Sequence, residues 1–302
     1  MSERMGADGT AVQRDGRRGT RTETAPTGAN TGTPAQQALL AVLVSGERPP
    51  APSALSTSLT FGHRALLKIR HVPEQLFDVT LFPIIMTLLF TFIFGGALAG
   101  SVEDYIQFFM PGVIVQSVVM ITMYTGTTIR NDIEKGVFDR FRSLPIWRPS
   151  ALVGMLLGDT VRFLIASTIM VGVGLLLGWR PQGGPVGVIL GILVVLLFSF
   201  SIGWIWTFIA LLMRSSGAVM GTSMMVLMPL TFASNIFVSP TTLPDWLEAF
   251  VGVNPLSHVV TSARELMGGQ ELGSSFLVVL LWSAGLVLVF GPLTMWRYRD
   301  AR

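Results

Sequence analysis

The sequence predicts an all-α protein with six membrane-spanning helices. Half of its 302 residues are hydrophobic and only 13% are charged, whereas soluble domains carry about a quarter charged residues. Six apolar stretches are each long enough for a helix that crosses the hydrocarbon core, which takes about 20 residues. The basic residues gather in alternate connections between these stretches, as the positive-inside rule requires. The chain is therefore predicted to be an integral membrane protein.

The first 54 residues are predicted to be a disordered cytoplasmic tail. They consist mainly of glycine, threonine, alanine, proline and arginine, and such a segment cannot bury enough apolar surface to offset the entropy of ordering. The one apolar run, Ala38–Val44, is too short and too far from the N-terminus for a signal peptide. Residues 55–302 are then predicted to form one transmembrane domain.

A basic amphipathic helix is predicted over Leu59–Val72. Its apolar residues fall on one half of a helical wheel, and the other half carries basic residues that include Arg64, Lys68 and Arg70. A helix of this kind directly before a span is typical of the headgroup region, where cations meet anionic lipid. We interpret it as lying in the membrane plane; an ordinary surface helix is the alternative.

Six predicted spans follow. Asp159 and Arg162 make the third the least apolar, and aromatic and basic residues at the end of the sixth are typical of the membrane interface. The spans are Phe77–Gly100, Ile106–Ile129, Ala151–Trp179, Val186–Met213, Ala218–Val238 and Ser274–Trp296.

Basic residues near the span ends predict the orientation. If the N-terminus is inside, the inner connections and ends hold twelve lysines and arginines, and the outer connections hold only Arg180 and Arg264. Both termini are therefore predicted to be cytoplasmic. The twelve inner residues are Arg64, Lys68, Arg70, Arg130, Lys135, Arg140, Arg142, Arg148, Arg214, Arg297, Arg299 and Arg302.

The outer connection between the fifth and sixth spans is predicted to contain two short helices. Apolar residues recur at helical spacing from Leu243 to Val251, Asn254-Pro255 breaks the pattern, and a second helix runs from Leu256 to Met267 before two glycines. We expect these helices to re-enter the outer leaflet, where any non-helical backbone must be covered by protein or line a wet cavity.

Several kinds of chemistry are excluded by composition. The chain has no cysteine and only three scattered histidines, and neither of its lysines, Lys68 and Lys135, follows a glycine. Cysteine-based metal centres and a phosphate-binding P-loop are therefore absent, and a histidine metal site is not expected. A net charge of +3 with this distribution indicates no nucleic-acid partner. No catalytic constellation stands out, so a membrane-embedded enzyme is disfavoured.

The span centres carry no ionisable residue, which disfavours a carrier driven by protons or sodium. A self-standing secondary transporter or channel is therefore kept only as the alternative function. Asp159 and Arg162 lie three residues apart near the inner interface. At that spacing they can form a locally satisfied ion pair on one face of the third span.

The inner connection between the second and third spans is the feature left to explain. Residues 130–150 carry eight charged side chains, yet apolar residues within this stretch recur at helical spacing. Periodicity alone leaves two readings open, a helix on the membrane surface and a docking helix for a soluble partner. The apolar residues are Ile133, Val137, Phe138, Phe141 and Leu144.

Two stretches resemble the ABC-2 type permeases of ABC transporters, especially their daunorubicin-resistance-type membrane subunits. One is NDIEKGVFDRFRSLPIWRPSALVGMLLGDTVR, with Glu134, Gly136, Arg148, Asp159 and Arg162 among the matching residues, and the other is NPLSHVVTSARELMGG. With the six-span layout, the resemblance covers roughly residues 56–300. Asn254, Pro255 and Arg264 fall in the second stretch, which resembles the family's outer re-entrant helices.

The resemblance implies the membrane half of an exporter in a bacterial plasma membrane. A separate ATPase would bind ATP and Mg²⁺, this chain would hold no cofactor, and a second permease copy, identical or a sister subunit, would complete the pathway. The coupling helix would be Ile133–Ser143, with Glu134 and Arg142 as polar contacts, Phe138 and Phe141 in the ATPase groove, and Ile133, Gly136 and Val137 beside them.

A hydrophobic substrate such as an antibiotic or a lipid is also implied by the resemblance. Methionine is flexible and polarizable and suits surfaces that fit varied apolar ligands, and methionines gather in spans two and five. Ordinary packing explains them equally well. The candidates for a substrate path are Gln116, Met120, Met224 and Met228.

Overall fold

The computed structural model describes residues 33–37, 60, 73–137 and 150–300, and every regular element in these ranges is helical. The chain divides into two units, residues 1–50 and 51–302. In the first unit, residues 34–37 form one helical turn, at which the Thr33 amide donates to Gln36 Oε1 at 3.1 Å. The predicted in-plane helix falls outside the described residues, apart from residue 60.

The first apolar helix is interrupted by a π-helical turn. Helix α1 spans Pro73–Leu89, the π turn spans Phe90–Phe94, and α2 spans Gly95–Ala99. Gly100 ends α2 at φ +79°, a conformation that favours glycine. Gly95 packs on the next helix, since a Cβ there would lie 3.3 Å from the Cβ of Tyr105. The chain therefore turns back directly into α3.

Four helices in the described part of the chain are long and apolar enough to cross a membrane. They are α3, Val102–Glu134; α4, Ser150–Leu176; α5, Gly184–Leu212; and α9, Ser274–Asp300. The first and fifth predicted spans contain shorter apolar helices, Leu81–Ala97 and Ser216–Phe232. The fold is thus helical and suited to a membrane, and the count of six spans stays a prediction.

Helix α6, Ser216–Phe232, ends six residues before the predicted end of the fifth span. The cause is local competition for backbone hydrogen bonds by a short hydroxyl side chain. Ser234 Oγ donates to the Thr231 carbonyl at 2.5 Å and accepts from the Ile236 amide at 3.4 Å. These contacts favour a turn after Phe232 over another helical turn.

Helices α3 and α5 form the centre of the packing. Helix α3 contacts α4, α5 and α6, and α5 also contacts α4 and α9. The side chains of Phe109, Ile114, Phe198 and Trp206, which these two helices carry, are fully buried. Trp206 Nε1 donates to Thr122 Oγ1 at 2.9 Å, so this buried indole is paired. Such close packing stabilises helix association in lipid, where apolar burial alone gives little.

The segment between α6 and α9 holds two short helices with different surroundings. After a 3₁₀ turn at Pro240–Thr242, α7 spans Asp245–Val253 and α8 spans Pro255–Met267. Helix α7 is mostly exposed, with Trp246 at 74%. Helix α8 packs against α3, α5 and α9 and buries a full apolar face. It is an integral part of the helical core, and its entry into the membrane stays a prediction.

Candidate functional site

The C-terminal end of α3 is where the predicted docking segment begins. Helix α3 continues through Ile133 and ends at Glu134, so these two residues belong to the long helix and not to a separate docking helix. The chain turns at Gly136, which has φ +66° and donates its amide to the Ile133 carbonyl at 3.0 Å. A glycine in this conformation is the usual end of a helix. Residue 137 is helical again, and Phe138, Phe141 and Arg142 lie outside the described residues.

The carboxylate of Glu134 joins α3 to the start of α6. Its Oε1 atom accepts from Arg130 Nε at 3.2 Å and from the Ser216 amide at 3.0 Å. Ser215 caps the same helix, because its Oγ accepts from the Ala218 amide at 3.2 Å. A carboxylate and a capping hydroxyl thus satisfy amides at the positive end of α6.

One end of each of five helices meets in a small apolar cluster. Ile129 of α3, Leu152 of α4, Ala210 of α5, Val219 of α6 and Tyr298 of α9 are all buried in it. Ile133, Met155, Met213 and Met295 pack against its edge. The last turn of α3 therefore touches the cluster on one side and leads into the predicted docking segment on the other.

Asp159 and Arg162 form an ion pair within α4, with 3.1 Å between Asp159 Oδ1 and Arg162 Nη1. Both side chains are buried. Taking two charges out of water is costly unless they remain paired. The pair therefore fixes the local conformation of this part of α4, and a role beyond that stays a prediction.

The four candidate substrate-path residues do not form one exposed patch in the single chain. Gln116 is buried in α3, whereas Met224 lies on the exposed side of α6. Met120 and Met228 are half-buried. One side of α6 is covered by neighbouring helices, and the other presents methionines, with Met225 at 79% exposure.

Asn254 joins helix α8 to the end of α6. Its Oδ1 accepts from the Leu256 amide at 2.9 Å, which caps α8, and Pro255 fills the first helical position, where no amide is needed. Its Nδ2 donates to the carbonyls of Leu230 and Ala233, each at 2.7 Å. Helix α6 is thus held by a side chain from elsewhere at both ends, by Glu134 at its start and by Asn254 at its end.

Arg264 joins α8 to α3 and to the segment that follows α6. Its Nε donates to the Phe108 carbonyl at 3.1 Å and its Nη2 to the Asn235 carbonyl at 3.2 Å. The guanidinium carbon also lies 4.0 Å from the centre of the Phe108 ring. Burial lowers the pKa of Arg264 to about 10, so the side chain is still charged at neutral pH.

Three glycines allow α8 to approach α5 closely, and their role was not predicted from the sequence. A Cβ at Gly183 or Gly187 would lie 2.3 or 2.2 Å from the Leu266 carbonyl oxygen, and one at Gly191 would lie 2.8 Å from the Met267 side chain. The Gly183 amide donates to the Met267 carbonyl at 2.9 Å. Their four-residue spacing, typical of close contacts between membrane helices, was the available signal.

The sequence relatives of the chain are drug-resistance permeases. Residues 59–267 match the family model described as ABC-2 type transporter. The chain is 50% identical over 277 residues to the daunorubicin resistance ABC transporter permease protein DrrB1 of Streptomyces coeruleorubidus. This alignment covers 92% of this chain and 98% of that protein.

A more distant similarity covers about half of the chain. The probable doxorubicin resistance ABC transporter permease protein DrrC of Mycobacterium tuberculosis is 27% identical over 154 residues, 51% of this chain and 55% of that protein. The same protein matches from a second strain.

Proposed function

The chain belongs to the ABC-2 type transporter family as a membrane permease subunit, and from that premise we propose that it exports an apolar small molecule, such as an antibiotic or a lipid-like compound. The names of its relatives support a drug as the substrate. A separate ATPase subunit binds ATP and Mg²⁺ and supplies the energy. The chain crosses the bacterial plasma membrane six times, with both termini in the cytoplasm.

The ATPase docks on the inner connection between α3 and α4. Val137, Phe138, Phe141 and Arg142 supply the contact surface of this connection, with the aromatic rings in a groove of the ATPase. The observation that carries this proposal is the position of the connection, since it leaves α3 directly beside the cluster in which five helix ends meet. A displacement of the connection would reach all five helices through packed side chains.

Glu134 transmits that displacement to α6. Its carboxylate is bonded to the first amide of α6, and hydrogen bonds to ionised groups are stronger than neutral ones. A shift of the last turn of α3 would therefore carry the inner end of α6 with it, while Asn254 holds the outer end. Helix α6 would tilt about its outer end. That Glu134 also contacts the ATPase stays a prediction.

A second permease copy, either identical or a sister subunit, completes the pathway. The methionine-bearing side of α6 supports this proposal, because a single chain leaves it uncovered. The substrate would pass between the two copies, in contact with Met224 and Met228. Tilting of α6 would then change the width of the passage.

Variants of two residues separate docking from transmission. The chain is co-expressed with its ATPase, and co-purification and ATP-dependent transport into inside-out vesicles are both measured. Phe141→Ala should reduce both quantities, because it removes docking surface. Glu134→Gln should reduce transport at least about tenfold, the factor that 1.4 kcal/mol represents, while co-purification is retained.

Matched substitutions on the outer helix α7 provide the controls. Phe250→Ala and Glu248→Gln make the same two substitutions, phenylalanine to alanine and glutamate to glutamine, at exposed positions of α7. They should leave transport and co-purification unchanged. Normal transport by both Phe141→Ala and Glu134→Gln would show that the inner connection is not where energy enters the permease.

A further inference from the structure

A cavity of about 460 Å³ lies at the predicted outer end of the helices. It is enclosed by the first two turns of α3, the connection between α4 and α5, and the end of α8. Its lining combines apolar side chains with several polar groups, including Gln107, Arg180, Gln182, Arg264 and Gln270. Pre-formed concave sites with a few convergent polar groups are typical of ligand pockets.

The walls of this outer cavity are fixed by hydrogen bonds between the three segments. Gln107 Nε2 donates to the Gly178 carbonyl at 3.1 Å, and its Oε1 accepts from the Arg180 amide at 2.9 Å. The Gly183 amide bonds the Met267 carbonyl at 2.9 Å, which ties the connection to α8. The cavity is therefore part of the folded structure and does not depend on a loop rearrangement.

Two arginines bring positive charge to the outer cavity. Arg264 donates from Nε and Nη2 to two backbone carbonyls. Its Nη1 makes no hydrogen bond to any residue that the structure describes. Arg180 Nη1 donates to the carbonyls of Leu175 and Trp179, at 2.9 and 3.0 Å. Ion pairs within the described ranges involve Arg130 and Arg162, and neither cavity arginine has a carboxylate partner there.

The negative groups near the outer cavity are one carboxylate and the carbonyls at the end of α8. Asp104, the one carboxylate in the lining, accepts from Ser101 Oγ at 2.7 Å at the start of α3. The last carbonyls of α8, from Arg264 to Met267, each accept a backbone amide. A hydroxyl donor leaves the charge of Asp104 in place, so the lining carries two positive charges and one negative charge, and positive charge is in excess.

We propose that the outer cavity binds a phosphate-bearing anion, with Arg264 and Arg180 as its charged contacts and the glutamines as neutral donors. Arginine recognises phosphate through charge-assisted hydrogen bonds from its planar fork. The cavity opens at the predicted membrane surface, so the phosphate can come from an outer-leaflet phospholipid headgroup or from a small soluble phosphate ester. Binding would compensate the charge of Arg264 and stabilise the outer end of the permease.

The test uses the purified full chain in neutral detergent, without an ATPase, so its outcome does not depend on the proposed transport. Native mass spectrometry measures binding of short-chain phosphatidylglycerol, the matching diacylglycerol and glycerol 3-phosphate. Phosphatidylglycerol should bind and diacylglycerol should not. Binding of phosphatidylglycerol alone identifies a lipid headgroup as the ligand, and comparable binding of glycerol 3-phosphate identifies a soluble phosphate ester. Equal binding of phosphatidylglycerol and diacylglycerol overturns the proposal.

Two variants locate the binding in this cavity. Arg264→Gln should weaken phosphatidylglycerol binding about tenfold or more, which corresponds to a loss of 1.4 kcal/mol. Gln270→Glu adds negative charge to an exposed lining residue and removes no buried contact, so it tests the site even if Arg264→Gln does not fold. Thr241→Glu places the same charge on an exposed residue outside the lining and should have little effect. If the Gln270→Glu and Thr241→Glu variants bind phosphatidylglycerol equally well, the cavity is not the binding site.

Discussion

Replacing Gly187 by alanine tests the contact between α5 and α8 directly. The added Cβ would lie 2.2 Å from the Leu266 carbonyl oxygen, whereas ordinary contacts begin at 3.4 Å. The two helix backbones must therefore separate by about 1 Å, and overpacking of this kind costs roughly 1–3 kcal/mol. Alanine regains up to about 1 kcal/mol of helix propensity. Because the clash is with a backbone atom, which cannot rotate away, the cost of overpacking lies in the upper part of that range, about 2–3 kcal/mol, and the net destabilisation should be about 1–2 kcal/mol.

Thermal unfolding of the purified chain, followed by tryptophan fluorescence, measures this effect. A loss of about 1–2 kcal/mol should lower the midpoint by roughly 2–8 °C in a protein of this size. Gly285→Ala is the matched control, because a Cβ at that position of α9 meets no atom within 4 Å. Equal midpoints for Gly187→Ala, Gly285→Ala and the natural chain would refute the close packing of α8 on α5.

Two further predictions concern buried polar contacts. Asn254→Ala removes the cap of α8 and the donor to the carbonyls of Leu230 and Ala233, so the unfolding midpoint should fall by several degrees. Asn254→Asp keeps the capping oxygen and should recover only part of the loss. If Asn254→Asp is as stable as the natural chain, the bonds to α6 contribute nothing. Asp159→Asn and Arg162→Met should each destabilise α4 more than the double variant does, because each removes one partner of a buried ion pair and keeps the charge of the other. A loss in the double variant equal to the sum of the two single losses would contradict the pairing. The same unfolding assay measures the Asn254 variants and the Asp159 and Arg162 variants.

The length of the apolar stretches predicted the four long helices well, because a chain that crosses lipid needs long apolar segments in which the backbone pairs internally. The end of α6 was predicted six residues too late, since hydrophobicity continues through Ile236 and Phe237 after the helix has stopped. What ends the helix is the hydroxyl of Ser234, and a hydropathy pattern is insensitive to a single hydrogen bond.

The contacts of the site residues were less accessible to sequence reasoning. Glu134 was singled out by family resemblance as a polar contact of an ATPase, but its bond to the Ser216 amide joins residues 82 positions apart. Arg264 bonds the Phe108 carbonyl across 156 positions. Periodicity reports which face of a helix is apolar, and it carries no information on which distant backbone atom a side chain will meet.

The central claim is that this permease moves an apolar compound only when an ATPase drives it. The most direct measurement is uptake of a fluorescent apolar drug into inside-out vesicles that contain the chain, with and without its co-purified ATPase and Mg-ATP. Uptake that requires ATPase, nucleotide and permease together is the predicted result. Uptake by the chain alone, at the same rate with or without ATP, would instead identify a self-standing transporter or channel.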